Sequence, residues 1–249
     1  MTKKNKKPAD KVRIQKYLAN IGVASRRKIE ELLSEGAITV NGKIVIESPC
    51  FVNPEQDKIT VDGRKIKHRR EEKVYYLVNK PRGYICTSSD PDGRKKVIDI
   101  IPPSRERIYC VGRLDAESTG LVILTNDGNL TNRLTHPRYG VKKTYMVNIS
   151  DRVDGEDTEK ILEGLYLDGT KCKPDSIKIA RRSNTSTLLE VVMSEGKNRE
   201  IRRLFARLGY KVRRLRRVSI GPVTDRGLKT GNWRPLTIKE IKQLKKTGR

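Results

Sequence analysis

The residues Gly112-Arg113-Leu114-Asp115-Ala116-Glu117-Ser118-Thr119-Gly120-Leu121 set a carboxylate beside a cation in a loop bracketed by glycines. The surrounding chain is strongly basic, with 55 Lys and Arg against 30 Asp and Glu in 249 residues, a net charge of +25. An acid in so basic a chain is a candidate for a task. At a sugar or a base, a lone carboxylate can attack a carbon or take a proton. Two acids sharing a pocket would suggest glycoside hydrolysis, one as acid and one as base. Glu117 lies two residues on, and nothing in the sequence brings it into the same pocket. From spacing alone the plainer reading leads: a turn in which Asp115 caps a helix or pairs with a cation.

Two further stretches carry chemistry. In Glu195-Gly196-Lys197-Asn198-Arg199-Glu200-Ile201-Arg202-Arg203-Leu204-Phe205, the residues Ile201, Leu204, Phe205 and Leu208 repeat at helical spacing, and Gly209 stops the pattern. Arg199, Arg203 and Arg207 fall opposite that apolar face, as phosphate contacts or a solvated surface. Arg202 falls on its flank, where a guanidinium turned half inward would hold a buried carboxylate ionised. In Lys142-Lys143-Thr144-Tyr145-Met146-Val147-Asn148-Ile149, Tyr145 opens a strand. Read alone it is a core tyrosine; the functional alternative is a ring on which an extruded base stacks.

The excess of cations points to a polyanionic partner, because every phosphate neutralised releases counterions. A membrane is not expected, since no basic amphipathic stretch has an aromatic face and Trp233 is the single tryptophan. No apolar run reaches spanning length. The lysine-rich start leads into no apolar segment, so no secretory signal is expected. Cys50, Cys86, Cys110 and Cys172 have no paired spacing, and His68 and His136 complete no ligand set. A reducing, cytoplasmic setting and no metal are therefore expected. No phosphate-cradling glycine loop is present, so no nucleotide cofactor is expected either.

Residues 1–10 read as a disordered basic arm. Ile14, Tyr17, Leu18 and Ile21 mark a short helix; Ser25 caps a second, whose Ile29, Leu32 and Leu33 face inward and which stops at Gly36. Asn41-Gly42 and Asp62-Gly63 each read as a hairpin turn. This makes a module over 11–67, a charged linker at 68–73, a larger domain over 74–240 and a basic tail at 241–249. In the larger domain, runs at 74–78, 108–111, 121–125, 144–149 and 188–193 read as strands. Helical pieces lie near 129–134, 158–162 and 198–208, with a weaker one at the C-terminal tail. Strands outnumber helices without alternating with them, so an α+β fold with a mixed, largely antiparallel sheet is expected.

The module's helix–helix–hairpin order, with Gly22-Val23-Ala24-Ser25-Arg26-Arg27 between the helices, resembles the S-four-type RNA-binding domain. That resemblance implies that Arg26, Arg27 and Lys28 meet RNA phosphates at a helix start. The three stretches Gly112–Asp115, Lys143–Tyr145 and Glu195–Leu204, in that order, resemble the motifs of the pseudouridine synthases. With the module in front, the likeness narrows to the RsuA/RluB group, which modifies ribosomal RNA. The wording of 89–94 and 197–200 favours its large-subunit (23S) branch over the small-subunit (16S) one.

The resemblance implies that Asp115 starts scission of a uridine's glycosidic bond, by attack or by taking a ribose proton. Tyr145 stacks on the base and helps remove the proton from carbon five, and Arg202 is the cation paired with the aspartate. Leu215 lines the base pocket and Arg113 helps hold the flipped nucleotide. Lys197, Arg199 and Arg203 are substrate contacts, and Lys211, Arg213, Arg214, Arg216 and Arg217 add a basic cluster. The chemistry implied needs neither cofactor nor metal, and a monomer is expected. Two rivals stay open: a non-enzymatic ribosomal RNA-binding assembly factor, and an N-glycosidase in which water intercepts the broken bond.

Overall fold

The computed structural model describes residues 11–67 and 72–248. The chain divides between Glu72 and Lys73 into two compact units. The expected basic arm and residues 68–71 of the expected linker lie outside the described residues.

In the first unit, β1 (Val12–Arg13) leads into α1 (Ile14–Asn20) and α2 (Arg26–Ser34). Ser25 Oγ accepts the Lys28 N–H at 3.1 Å, capping α2. Then come β2 (Ile38–Val40), β3 (Lys43–Ile44), β4 (Phe51–Val52), β5 (Ile59–Val61) and β6 (Arg64–Lys65). Asn41 and Asp62 adopt φ of 52° and 49° and the glycines after them 81° and 72°, the twist that two-residue hairpins demand. Pairing of β2 with β5 joins both hairpins in one sheet, ordered β3-β2-β5-β6. Ile14, Leu18, Ile29 and Leu33 are fully buried beneath it, so the helical spacing fixes this core.

The second unit is built on one sheet. Its strands are β7 (Tyr75–Lys80), β8 (Tyr109–Val111), β9 (Thr119–Thr125), β10 (Lys143–Ile149), β13 (Ser176–Arg182), β14 (Thr187–Met193), β15 (Val212–Ile220), β16 (Val223–Thr224) and β17 (Trp233–Pro235). The main path runs β13-β14-β10-β15-β9-β7-β17. Among the described residues every pairing in it is antiparallel except β9 with β15, so the sheet is mixed and largely antiparallel. A separate hairpin, β11 (Leu165–Leu167) with β12 (Thr170–Cys172), turns on Asp168-Gly169. The helices are α3 (Gly128–Thr135), α4 (Gly155–Glu163), α5 (Glu200–Ala206) and α6 (Ile238–Lys246).

Two cores lie against the sheet. One packs Tyr145, Val147, Leu189, Val191 and Leu215 against Ile201, Leu204 and Phe205 of α5. The other packs Leu121 and Ile123 against Leu130, Leu134 and Leu244 of α3 and α6. The weak helical piece expected at the C-terminal tail is α6, which begins at Ile238, ahead of the boundary drawn at 240. α6 runs to Lys246, Leu244 is fully buried, and Arg133 Nε donates to the Thr247 carbonyl at 2.8 Å. Its lysines face outward while a narrow apolar stripe docks, which a count of charges conceals. Among the described residues no helix is long and apolar enough to cross a membrane.

Candidate active site

Asp115 sits on the loop between β8 and β9. Gly112 takes φ of 71°, Leu114 packs into the core, and the Ser118 N–H closes a turn onto the Asp115 carbonyl at 3.0 Å. The loop is held from beneath. Gly83 N–H donates to the Ala116 carbonyl at 2.8 Å, and the buried Lys80 donates from Nζ to the same carbonyl at 3.2 Å and to that of Pro81 at 3.0 Å. Burial pushes the Lys80 ammonium down to about 8. Leu114 N–H reaches Cys86 Sγ at 3.4 Å. Of the thiol pair Cys86 and Cys110, Cys86 ionises first. Its sulfur accepts from its partner and from Leu114, while Cys110 is held protonated. The Asp115 turn is thus real, and it fixes where the loop presents the carboxylate.

Gly120 explains how this loop meets the sheet. Strands β9 and β15 run parallel there, and a Cβ on Gly120 would stand 2.2 Å from the Arg217 carbonyl oxygen. Arg217 is itself buried and donates from Nε to the Leu121 carbonyl at 2.6 Å. It fastens β15 to β9 and is not part of a solvated cluster.

A cavity of about 250 Å³ opens beside Asp115, walled by Arg113, Tyr145, Met193, Lys197, Arg199 and Leu215, among others. Tyr145 reaches it from β10 and Leu215 from β15. The two strands are direct neighbours, with Val147 opposite Leu215 and Tyr145 opposite Arg217. The cavity therefore has a carboxylate on one wall, an aromatic ring and an apolar side chain on another, and cations at its mouth.

The cation nearest Asp115 differs from the sequence expectation. Arg199 Nη1 lies 3.6 Å from Asp115 Oδ2, and Nη2 lies 3.8 Å from Glu117 Oε2. Arg202 Nη1 instead lies 3.7 Å from Glu117 Oε2 and donates to the Val212 carbonyl at 2.9 Å. Its side chain is 11% exposed, and burial pushes its guanidinium down from the ordinary value, opposed first by Glu117 and more weakly by Asp115. The reason is local backbone geometry. Arg199 precedes α5 with φ of 48°, off the helical path, and this turns it away from the outward row with Arg203 and Arg207. Glu200 Oε2 accepts the Lys197 N–H at 2.9 Å and tightens the loop that sets this direction.

The remaining expected contacts divide. Arg113 and Lys197 line the cavity, and Lys197 also pairs with Glu195 at 3.2 Å. Arg203 turns to Asp168 at 2.6 Å and lies off the cavity wall. Arg26, Arg27 and Lys28 are exposed on the first turn of α2, and Lys28 pairs with Glu31 at 3.1 Å. Sequence reasoning missed Lys80 and Ser118, whereas Glu117, which nothing in the sequence brought into the pocket, lies off the cavity wall and pairs with Arg199 and Arg202. The signal for Lys80 was a lysine closing an apolar strand just before Pro81. Among the described residues no group of His, Cys, Asp and Glu side chains is placed to hold a metal ion.

A carboxylate beside an arginine, with a tyrosine and a leucine lining the same pocket, makes a site of single-nucleoside scale. Residues 74–207 match the family described as RNA pseudouridylate synthase, and residues 12–46 match the S4 domain. The chain belongs to the RNA pseudouridylate synthase family, whose members are isomerases acting on RNA. It is 43% identical to an "Uncharacterized RNA pseudouridine synthase" of Aquifex aeolicus, across 94% of this chain and 93% of that one. It is 41% identical to "Ribosomal large subunit pseudouridine synthase B" of Bacillus subtilis, across 94% and 95%. A solved pseudouridylate synthase superposes with a TM-score of 0.68 at 32% identity, across 94% and 99%.

Proposed function

We propose that this enzyme converts a uridine of large-subunit ribosomal RNA to pseudouridine, with Asp115 as the catalytic carboxylate. The observation that carries the roles is the Asp115 wall of the cavity, with Arg199 3.6 Å away and Tyr145 and Leu215 beside it. The name of the Bacillus subtilis relative, matched over nearly its whole length, supports the large subunit as substrate.

The target nucleotide leaves its stack, at a cost of a few kcal/mol offset by phosphate contacts. Its base enters against the Tyr145 ring and Leu215, with Arg113 at the mouth. Asp115 initiates breakage of the bond between C1′ and N1, by attack at C1′ or by removing a ribose proton. Arg199 holds the carboxylate in place at 3.6 Å, and Arg202 acts one step removed by fixing Glu117, which shares Arg199. The freed uracil turns and C5 bonds to C1′, as the bond from C1′ to the carboxylate breaks on the attack route or the ribose proton is returned by Asp115 on the other; the C5 proton then leaves with help from the Tyr145 hydroxyl while N1 gains one. Atoms and charge balance with no external reactant.

Mapping pseudouridines in ribosomal RNA from cells lacking the gene tests the assignment. One large-subunit uridine is expected to stay unmodified. Loss of a small-subunit site instead would contradict the choice of subunit, and free uracil in the purified reaction would favour the N-glycosidase.

A further inference from the structure

The sheet that carries Tyr145 has a second face. On β10 the side chains alternate, so Thr144, Met146 and Asn148 face away from the Tyr145 core and are each half-buried. Met146, Leu188 and Val192 belong to none of the hydrophobic cores of the described residues. At the β13-β14-β10-β15 end, this face is open.

Its chemistry is ordered by strand register. Arg181, Leu188, Asn148 and Arg214 stand opposite one another across β13, β14, β10 and β15. Lys178, Glu190, Met146 and Arg216 form the adjacent row. A shift of register between Asn148 and Ile149 leaves Arg213 without an opposite residue, so Arg213 and Arg214 both stand exposed at the strand's start. Arg216 is engaged with Asp225, but no ion pair or hydrogen bond engages the Arg181, Arg213 or Arg214 side chains among the described residues. Two hollows flank Asn148: about 230 Å³ on the side of Arg181, Ser183 and Ser186, and about 250 Å³ on the side of Arg213 and Arg214.

We propose that this face is a second RNA surface, binding the sugar–phosphate backbone of a double-stranded stem while the opposite face works on the target uridine. The proposal rests on the reading of the protein as an enzyme of ribosomal RNA. The Arg181–Arg214 row crosses three strand spacings, about 14 Å, too far for one phosphate and suited to a run of them. Single-stranded RNA is recognised by stacking on aromatic rings, and neither row contains one. Double-stranded RNA is read through phosphates and 2′-hydroxyls, which match unpaired guanidiniums flanking an amide and two serines.

The test is binding of the full chain to a blunt, fully paired RNA duplex of about 20 base pairs, titrated over a range of salt. R181E/R214E is compared with K239E/K242E, which makes the same change of net charge on exposed lysines of α6. The expected result is a loss of about tenfold or more for R181E/R214E, with the salt slope shallower by about 2, and less than about threefold for the α6 variant. R181Q/R214Q serves if the reversal fails to fold and is expected to show a smaller loss in the same direction. Equal weakening by both charge reversals, or none by either arginine pair, would overturn the proposal. So would R181E/R214E weakening binding to phosphatidylglycerol vesicles, measured alongside, while leaving duplex binding unchanged. Pseudouridine formation by the unaltered enzyme is assayed alongside; its failure would sink the enzymatic reading, and the duplex comparison would still decide this one.

Discussion

Arg199 and Asp115 meet at 3.6 Å because Arg199 is held at φ of 48°, a conformation that costs a non-glycine residue about 1–2 kcal/mol. Strain of that size beside the proposed catalytic carboxylate is where function concentrates it. Arg199→Gly keeps the backbone geometry and removes the cation. We expect single-turnover pseudouridine formation to fall about 10- to 100-fold, matching about 1.5–3 kcal/mol for a charged contact, with no loss of melting temperature. Arg202→Gln is expected to show the reverse emphasis, since it strips the Val212 carbonyl of its partner and lowers stability by about 1–3 kcal/mol. A full rate in Arg199→Gly would remove that guanidinium from the mechanism.

Tyr145→Phe separates the ring from its hydroxyl. The ring remains to stack, so RNA affinity should hold within about twofold while turnover falls by about 10²-fold or more, the scale of a lost proton-transfer group. Gel-shift and tritium-release measurements on the same RNA give both numbers. Turnover surviving in Tyr145→Phe would assign the C5 proton to another group.

Gly120→Ala places a methyl group 2.2 Å from the Arg217 carbonyl. Backbone cannot yield as a side-chain tip does, so we expect a loss of about 3 kcal/mol by urea denaturation. Gly112→Ala shares the positive φ, but its new Cβ would meet nothing nearer than Thr135 Cγ2 at 3.6 Å. It is expected to lose only about 1 kcal/mol. Similar losses in both would mean that conformation, not the β9–β15 approach, requires these glycines.

Local rules made much of this fold legible. The Asn41-Gly42 and Asp62-Gly63 turns, the Ser25 cap and the Ile14/Leu18 spacing each act within a few residues. Strand β15 was not legible as a strand: Val212-Arg213-Arg214-Leu215-Arg216-Arg217 lacks alternation because a register shift leaves Arg213 unopposed. The Asp168-Gly169 hairpin carried the same turn signal as the other two and was passed over. In the site, Asp115, Tyr145 and Leu215 line one cavity although they are distant in sequence. The partner of Asp115 did not follow from a helical wheel, because Arg199 lies off the helix, and a wheel describes only helical residues.

Acid should act on the docking of α6. Arg234 forks onto Glu240 at 2.7 and 2.8 Å and holds its carboxyl down to about 2 from an ordinary 4.5. A carboxylate with a depressed folded value stabilises fully above pH 4.5, and that contribution fades as pH falls toward 2. We expect Glu240→Gln to cost about 1–2 kcal/mol at neutral pH, after allowing for solvent screening. The gap between the two proteins should close through that acid window. A gap independent of pH would mean that the ion pair contributes nothing.

The most direct measurement is pseudouridine formation by Asp115→Asn with ribosomal RNA, made beside its RNA affinity. The substitution keeps shape and removes the charge. Turnover should disappear while affinity stays within about threefold, because phosphate contacts supply most of the binding. Pseudouridine appearing at the normal rate would contradict the role given to Asp115 and the mechanism built on it.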